Sequence, residues 1–333
     1  MGGDHGPSVV VEGAVAAVRE FGASVILVGD ATAIETEVRR VHAQSLPVEI
    51  VHASQVVGMG ESPSHALRRK RDSSLRIAAD LVRDGLASAF VSAGNTGAAL
   101  AVSMFSIGVL RGVDRPAIAA VLPSLRGYTV LLDVGANVAP KSWHLFQFGV
   151  MGHVYARDIL KIESPRVGLL SVGEEEGKGN ELTKEAYEQM KDSSLNFIGN
   201  VEGRDIYNGH CDVVVTDGFT GNVSLKTSES LAEMLGAMIR EELTRDVRSK
   251  IAAALALPAF KRFRKRVDYT EMGGAPLLGI DGAAIICHGA SPAKAIKNGV
   301  RVAGEWAKAD LNEHIKAALE VELTRSGREE GPE

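Results

Sequence analysis

Five short runs of Val, Ile and Leu, most ending in Gly or Asp, punctuate this chain and lead into helical patterns. They are SVILVGD (24–30), SAFVSAG (88–94), YTVLLDVG (128–135), RVGLLSVG (166–173) and DVVVTDG (212–218). Apolar runs without alternation are buried on both faces, as strands of a parallel sheet are. A strand that ends in glycine or aspartate and opens into a helix is a βα unit, and its ligand loops lie at the carboxyl ends of the strands. The pattern predicts the α/β class, a three-layer α/β/α body with a mainly parallel sheet. With 333 residues, 45% of them hydrophobic, residues 1–323 are expected to form a single two-lobed domain.

Helices are expected over roughly 72–85, 96–108, 142–162 and 180–191. The stretch 222–266 reads as one long helix broken at Pro258, an excursion from the α/β body. Strand character returns at AAIICHG (283–289), a last helix runs over about 291–321, and residues 324–333 read as a disordered tail. The opening MGGDHGP reads as a loop with no strand ahead of it.

Acidic residues outnumber basic ones by 42 to 37, for a net charge of -5. That balance argues against nucleic acid as a partner. Two cysteines, Cys211 and Cys287, stand without metal-type spacing, which predicts a reducing, cytoplasmic setting. No signal peptide is visible and no apolar run approaches the roughly 18 residues that cross a bilayer. Membrane contact is therefore expected to be peripheral. No G-x-S-x-G, HExxH or CxxC pattern occurs, so neither a covalent acyl-enzyme nor a metal site is indicated.

Chemistry is expected at the glycine-rich loops. In GGDHGP, Asp4 and His5 are either solvated turn residues or groups that handle a proton or an anion. In SAGNTGA, residues Gly94, Asn95, Thr96 and Gly97 open a helix after a strand, where free N–H groups and the helix dipole favour an anion, unless Asn95 or Thr96 is simply the N-cap. In LLDVGANV, Asp133 and Asn137 could orient a ligand or cap the next helix. SVGEEEGKGN fails the Walker spacing and carries three glutamates that would repel a nucleotide; Lys178 remains as a cation for a small anion. In TDGFTGNVSLK, Asp217, Gly218, Gly221 and Asn222 form another strand–loop–helix junction, with Asn222 a donor for an oxyanion or an N-cap.

Two basic runs stand out. Leu255, Leu257 and Phe260 precede Lys261, Arg262, Arg264, Lys265 and Arg266, a pattern suited to an anionic membrane, an acidic protein or dimer packing. Arg68 to Arg71 reads as a solvated helix face or a dock for an acidic partner.

Taken in order, MGGDHGP, SAGNTGA, LLDVGANV, GLLSVGEEEGKGN, FIGNVEGRDI, DVVVTDGFTGNV and GGAPLLGIDG with CHGAS resemble the phosphate acyltransferases of bacterial phospholipid synthesis, the PlsX family. Proteins of that family usually carry a short strand, approximately IALDA, before MGGDHGP, and this sequence opens at the motif itself. The resemblance implies transfer of a fatty acyl group from acyl carrier protein to inorganic phosphate, without a cofactor. It implies a homodimer with an isopropylmalate dehydrogenase/phosphotransacetylase-like body, and a helical hairpin with an apolar tip at 222–266. It also implies that the acyl phosphate passes to a membrane glycerol 3-phosphate acyltransferase. On this reading phosphate lies among the helix starts after SAGNTGA and TDGFTGN, Lys178 and Asn222 stabilise the oxyanion, and His5 or Asp4 orients phosphate. Two other enzymes remain open: a phosphotransacylase using coenzyme A thioesters, and a decarboxylating dehydrogenase, which would need NAD, a divalent metal and clustered aspartates. A non-catalytic membrane scaffold is the third alternative.

Overall fold

The computed structural model describes residues 1–327; the expected tail lies largely outside them. The chain enters a helix at once, α1 (Gly6–Phe21), with Pro7 in its first turn, where a missing N–H costs nothing. Then follow β1 (Val25–Gly29), α2 (Ala31–Arg40) and β2 (Val48–His52). The two strands pair in parallel as a small separate sheet, and Val11, Val15, Leu27, Ile34 and Val38 form its core with α1 and α2.

The large sheet is assembled from the rest. Helices α3 (Pro63–Arg69) and α4 (Ser74–Arg83) lead to β3 (Phe90–Ser92) and α5 (Thr96–Val102), which continues as a π-helical turn over Ser103–Ile107. A hairpin follows, β4 (Ala117–Ser124) and β5 (Gly127–Leu132), then α6 (Ser142–Asp158), β6 (Val167–Leu170), α7 (Glu181–Lys191), β7 (Phe197–Val201), α8 (Asp205–Asn208) and β8 (Val213–Val215). After the long helices α9 (Gly218–Thr244) and α10 (Val247–Val267) the chain returns through β9 (Ala275–Leu278) and β10 (Ala284–Ile286), and closes with α11 (Ala293–Lys308) and α12 (Leu311–Ser326).

The strand order is β3-β10-β9-β4-β5-β8-β6-β7. Four neighbouring pairs are parallel, and the three pairs around β9 and β4 are antiparallel. Buried side chains cover both faces. Leu145, Phe148, Met151 and Tyr155 of α6 join Trp306 and Leu311 on one face, while Ala98 and Val102 of α5 join Val134 and Val214 on the other. This is the expected three-layer α/β/α body with a mostly parallel sheet.

Three expectations are corrected. The excursion is two helices that meet at Arg245–Asp246, where Asp246 caps the second through Ser249 N at 2.8 Å. Pro258 lies inside α10 without ending it. Its helix is exposed, so water can hydrate the carbonyl of Ala254 that loses its partner. The last helix is likewise two, divided at Asp310, whose φ is +49°. The helix after SAGNTGA changes to π geometry at Ser103 and does not run on as α to 108.

Candidate functional site

MGGDHGP is held in place without a strand ahead of it within this sequence. Asp4 N donates to Gly289 O at 3.0 Å. A Cβ on Gly2 would stand 2.1 Å from Val57 O, and one on Gly3 2.2 Å from Ala93 O, so only glycine lets the loop pass between these backbones. Asp4 and His5 are exposed and their side chains have no hydrogen-bond or ionic partner among the described residues. His288, in CHGAS, stands beside this loop, with Ala290 N donating to its Nδ1 at 3.3 Å. That motif carried the resemblance, yet nothing in its spacing singled out His288.

In the neighbouring SAGNTGA loop, Asn95 is the N-cap of α5. Its Oδ1 accepts from Ala98 N at 2.9 Å, and its Nδ2 donates to the carbonyls of Gly58, Met59 and Glu61 at 3.2, 2.9 and 2.8 Å. The side chain is thus committed to structure. The backbone N–H groups of Gly94, Asn95, Thr96 and Gly97 have no protein acceptor among the described residues. Consecutive unclaimed amides of this kind suit an anion.

A second group of loops leaves β5, β6 and β8. Asp133 is fully buried and accepts from Ile118 N (3.0 Å), Ala136 N (3.2 Å) and Asn137 N (2.6 Å). Burial raises its carboxyl above the usual range, and those amide donors act in the opposite sense. Asn137 Nδ2 donates to Asp133 and to Pro116 O. Both side chains therefore shape the turn. Asp217 caps α9 through Thr220 N at 2.9 Å. Gly218 N donates to Asn137 O and Gly221 N to Asp217 O, which leaves Phe219 the one unclaimed N–H of the first turn. A Cβ on Gly221 would lie 1.9 Å from Asp133 O, and one on Gly218 2.7 Å from Asp133 Oδ2. These two glycines bring α9 down onto the 133–137 turn, and their amides are not available to phosphate.

Asn222 and Lys178 differ from all of these. Asn222 is exposed, without a partner among the described residues, and its amide lies over Gly135. The glutamates beside Lys178 pair elsewhere, Glu174 with Arg204 at 2.6 Å and Glu176 with Lys191 at 2.5 Å. Lys178 N donates to Glu175 O, which also accepts from Asn200 Nδ2. The loop is ordered by these contacts, and the Lys178 ammonium stays exposed, with no partner among the described residues.

The sheet decides how the two groups relate. Because β9, β4 and β5 are successively antiparallel, β5, β8, β6 and β7 run opposite to β3 and β10. The 94–97 loop and the 217–222 junction thus leave their strands in opposite directions. No hydrogen bond or ion pair among the described residues joins Lys178 or Asn222 to Asp4, His5 or residues 94–97. Helices α5 and α9 nevertheless begin over the same face, since Ala98, Leu100, Ala136 and Leu225 share one apolar cluster.

Both thiols are buried and pushed up to about 12 by that burial, which suppresses the nucleophilic thiolate. On the hairpin, Leu255 and Leu257 are exposed, but they lie along α10 and not at the turn. Lys261 to Arg266 reach its base, where Arg266 approaches Leu125 O at 3.5 Å. No helix among the described residues is long and apolar enough to cross a membrane, and no cluster of metal-binding side chains occurs among them.

A family described as Fatty acid synthesis protein matches residues 1–314. A relative from Geobacter sulfurreducens is 53% identical over 324 residues, covering 97% of this chain and 94% of its own length. One from Nitratidesulfovibrio vulgaris is 54% identical over 331 residues, covering 98% and 96%. Both are named phosphate acyltransferase. In fold, the EutD phosphotransacetylase from Staphylococcus aureus is similar at a TM-score of 0.59 with 14% identity, covering 90% of this chain and 92% of its own. A phosphotransacetylase from Streptococcus pyogenes is similar at 0.60 with 16% identity, covering 90% and 91%. The chain belongs to the fatty acid synthesis protein family.

Proposed function

We propose that this acyltransferase moves a fatty acyl group from acyl carrier protein to inorganic phosphate, forming an acyl phosphate for phospholipid synthesis. The observation that carries the reading is the match, along nearly the whole chain, to relatives named phosphate acyltransferase at 53% and 54% identity. Phosphate is anionic at neutral pH and needs no strong base. The four unclaimed amides of residues 94–97 hold it, with His5 and Asp4 beside them to orient it. Across the shared face of the sheet, Lys178 and Asn222 receive the thioester carbonyl. A phosphate oxygen attacks the carbonyl carbon, the oxyanion is stabilised by the ammonium and the amide, and the C–S bond then breaks. The carrier leaves as a thiolate and takes a proton from water. No cofactor enters the scheme.

The carriers of this step are testable. Lys178→Ala and Asn222→Ala should each lower kcat by about 10²–10³-fold in an assay of acyl phosphate formed from acyl carrier protein thioester and phosphate. Turnover near that of the unmodified protein would remove both residues from the mechanism. Coenzyme A thioesters in the same assay compare the two donors.

The hairpin supports two further proposals. Leu231, Met234, Leu235, Met238 and Ile239 of α9 are all exposed, and a second copy of this chain covers them in a homodimer. Leu255, Leu257 and Phe260, with the basic run Lys261 to Arg266, make peripheral contact with an anionic membrane, where the product passes to a glycerol 3-phosphate acyltransferase.

A further inference from the structure

We propose that the protein carrying the acyl thioester docks through its acidic surface on a cationic patch formed by Arg68, Arg69 and Arg71, next to the 94–97 loop. The inference deepens the reading above and rests on its donor being an acidic carrier protein.

Some exposed arginines elsewhere in this chain are matched to carboxylates, as Arg39 is to Glu35, Arg83 to Asp84 and Arg204 to Glu174. Others, Arg126 and Arg248 among them, have no carboxylate partner among the described residues and stand singly in the sequence. Arg68, Arg69 and Arg71 are exposed and have no acidic or hydrogen-bonding partner among the described residues. Three unpaired arginines within four residues raise the local positive potential, which an anionic partner relieves. The cation among them, Lys70, is treated differently: it is bound to Glu61 and to Val56 O. That contact, together with those from Gly58 N and His65, holds the Glu61 carboxyl down at about 2.

The same contacts fix the patch relative to the site. Glu61, which holds Lys70, also offers its carbonyl to Asn95. Pro63, at the start of α3, lies against Gly97. A helix of seven residues spans about 10 Å, so the arginines at the far end of α3 lie on the order of 10 Å along it from the unclaimed amides. An acidic protein bound there places a tethered thioester beside the phosphate loop. Unpaired charge at the rim also speeds capture of an oppositely charged partner, an effect that salt screens. The other unpaired basic run, 261–266, sits at the base of the hairpin and shares no such contacts with the 94–97 loop.

The test is the triple variant Arg68→Glu/Arg69→Glu/Arg71→Glu. The expected result is a rise of about tenfold or more in KM for acyl carrier protein thioester, lessened at high salt. The KM for phosphate and the kcat at saturating donor should stay unchanged. Because these side chains make no bonds among the described residues, the melting temperature should not fall. A matched reversal of Lys261, Arg262, Arg264 and Lys265 serves as the comparison. An unaltered KM in the first variant, or an equal rise in the second, overturns the docking site. If the unmodified protein forms no acyl phosphate, the functional reading fails separately. Docking is then judged by fluorescence anisotropy with acyl carrier protein alone: binding lost in the triple variant supports it, while equal affinity, or none for the unmodified protein, refutes it.

Discussion

At Asp133 a single carboxylate organises the end of β5, and the first turn of α9 rests on it. Its oxygens gather three backbone amides, and its carbonyl lies so close to Gly221 that no side chain fits between. Gly221→Ala should therefore shift the start of α9, destabilising the protein by about 1–3 kcal/mol as overpacking does. Asn222, one residue on, would move with it and turnover would fall. Urea unfolding and an acyl phosphate assay on one preparation check both; a variant as stable and active as the unmodified protein would show that the turn does not depend on this contact. LLDVGANV marks Asp133 and Asn137 as capping or ligand-orienting residues, and burial decides for the turn. Burial depends on which helix lies above the loop, a fact outside the local sequence. The same holds for Asn95, whose amide meets carbonyls more than thirty residues away.

At the scale of elements, helix positions follow local signals more faithfully than helix breaks do. Asp246 interrupts the 218–267 region by capping a new helix, while Pro258 is tolerated because its helix is exposed. Helices α6 and α12 illustrate a contact that only packing creates. Asp158, at the end of α6, bonds His314 of α12 at 2.6 Å and Arg157 at 2.6 Å. Burial raises the Asp158 carboxyl, and these two partners more than offset it, so it lies below its ordinary value. A depressed carboxylate pKa stabilises the fold above the unfolded value of about 3.9, and that contribution is lost as pH falls through the folded value. Asp158→Asn should consequently flatten the loss of stability below about pH 4. Urea midpoints from pH 6 to 3 measure this; parallel curves for the two proteins would remove the pair from the acid response.

For the whole molecule, the projecting helices pose the largest energetic question. Leu235 and Met238 are 47% and 56% exposed on the long helix α9. A second copy would cover such a face, so sedimentation should give a dimer, and Leu235→Asp/Met238→Asp should give a monomer. A monomeric unmodified protein would dismiss that interface. By itself the sequence determined the α/β class, the βα loops that hold the candidate groups, and the family resemblance, because apolar runs, glycines and strand-end aspartates act locally. Only the tertiary structure decided where those loops leave the sheet and which of their polar groups are taken up in packing. The antiparallel strands β4 and β9 reverse the direction of half the sheet, so SAGNTGA and TDGFTGN leave their strands in opposite directions, although α5 and α9 begin over one face. Strand direction is a property of pairing between distant segments, so two motifs with the same local form meet different surroundings. One retains open amides, and the other has most of its own taken up in packing α9 onto the turn at Asp133.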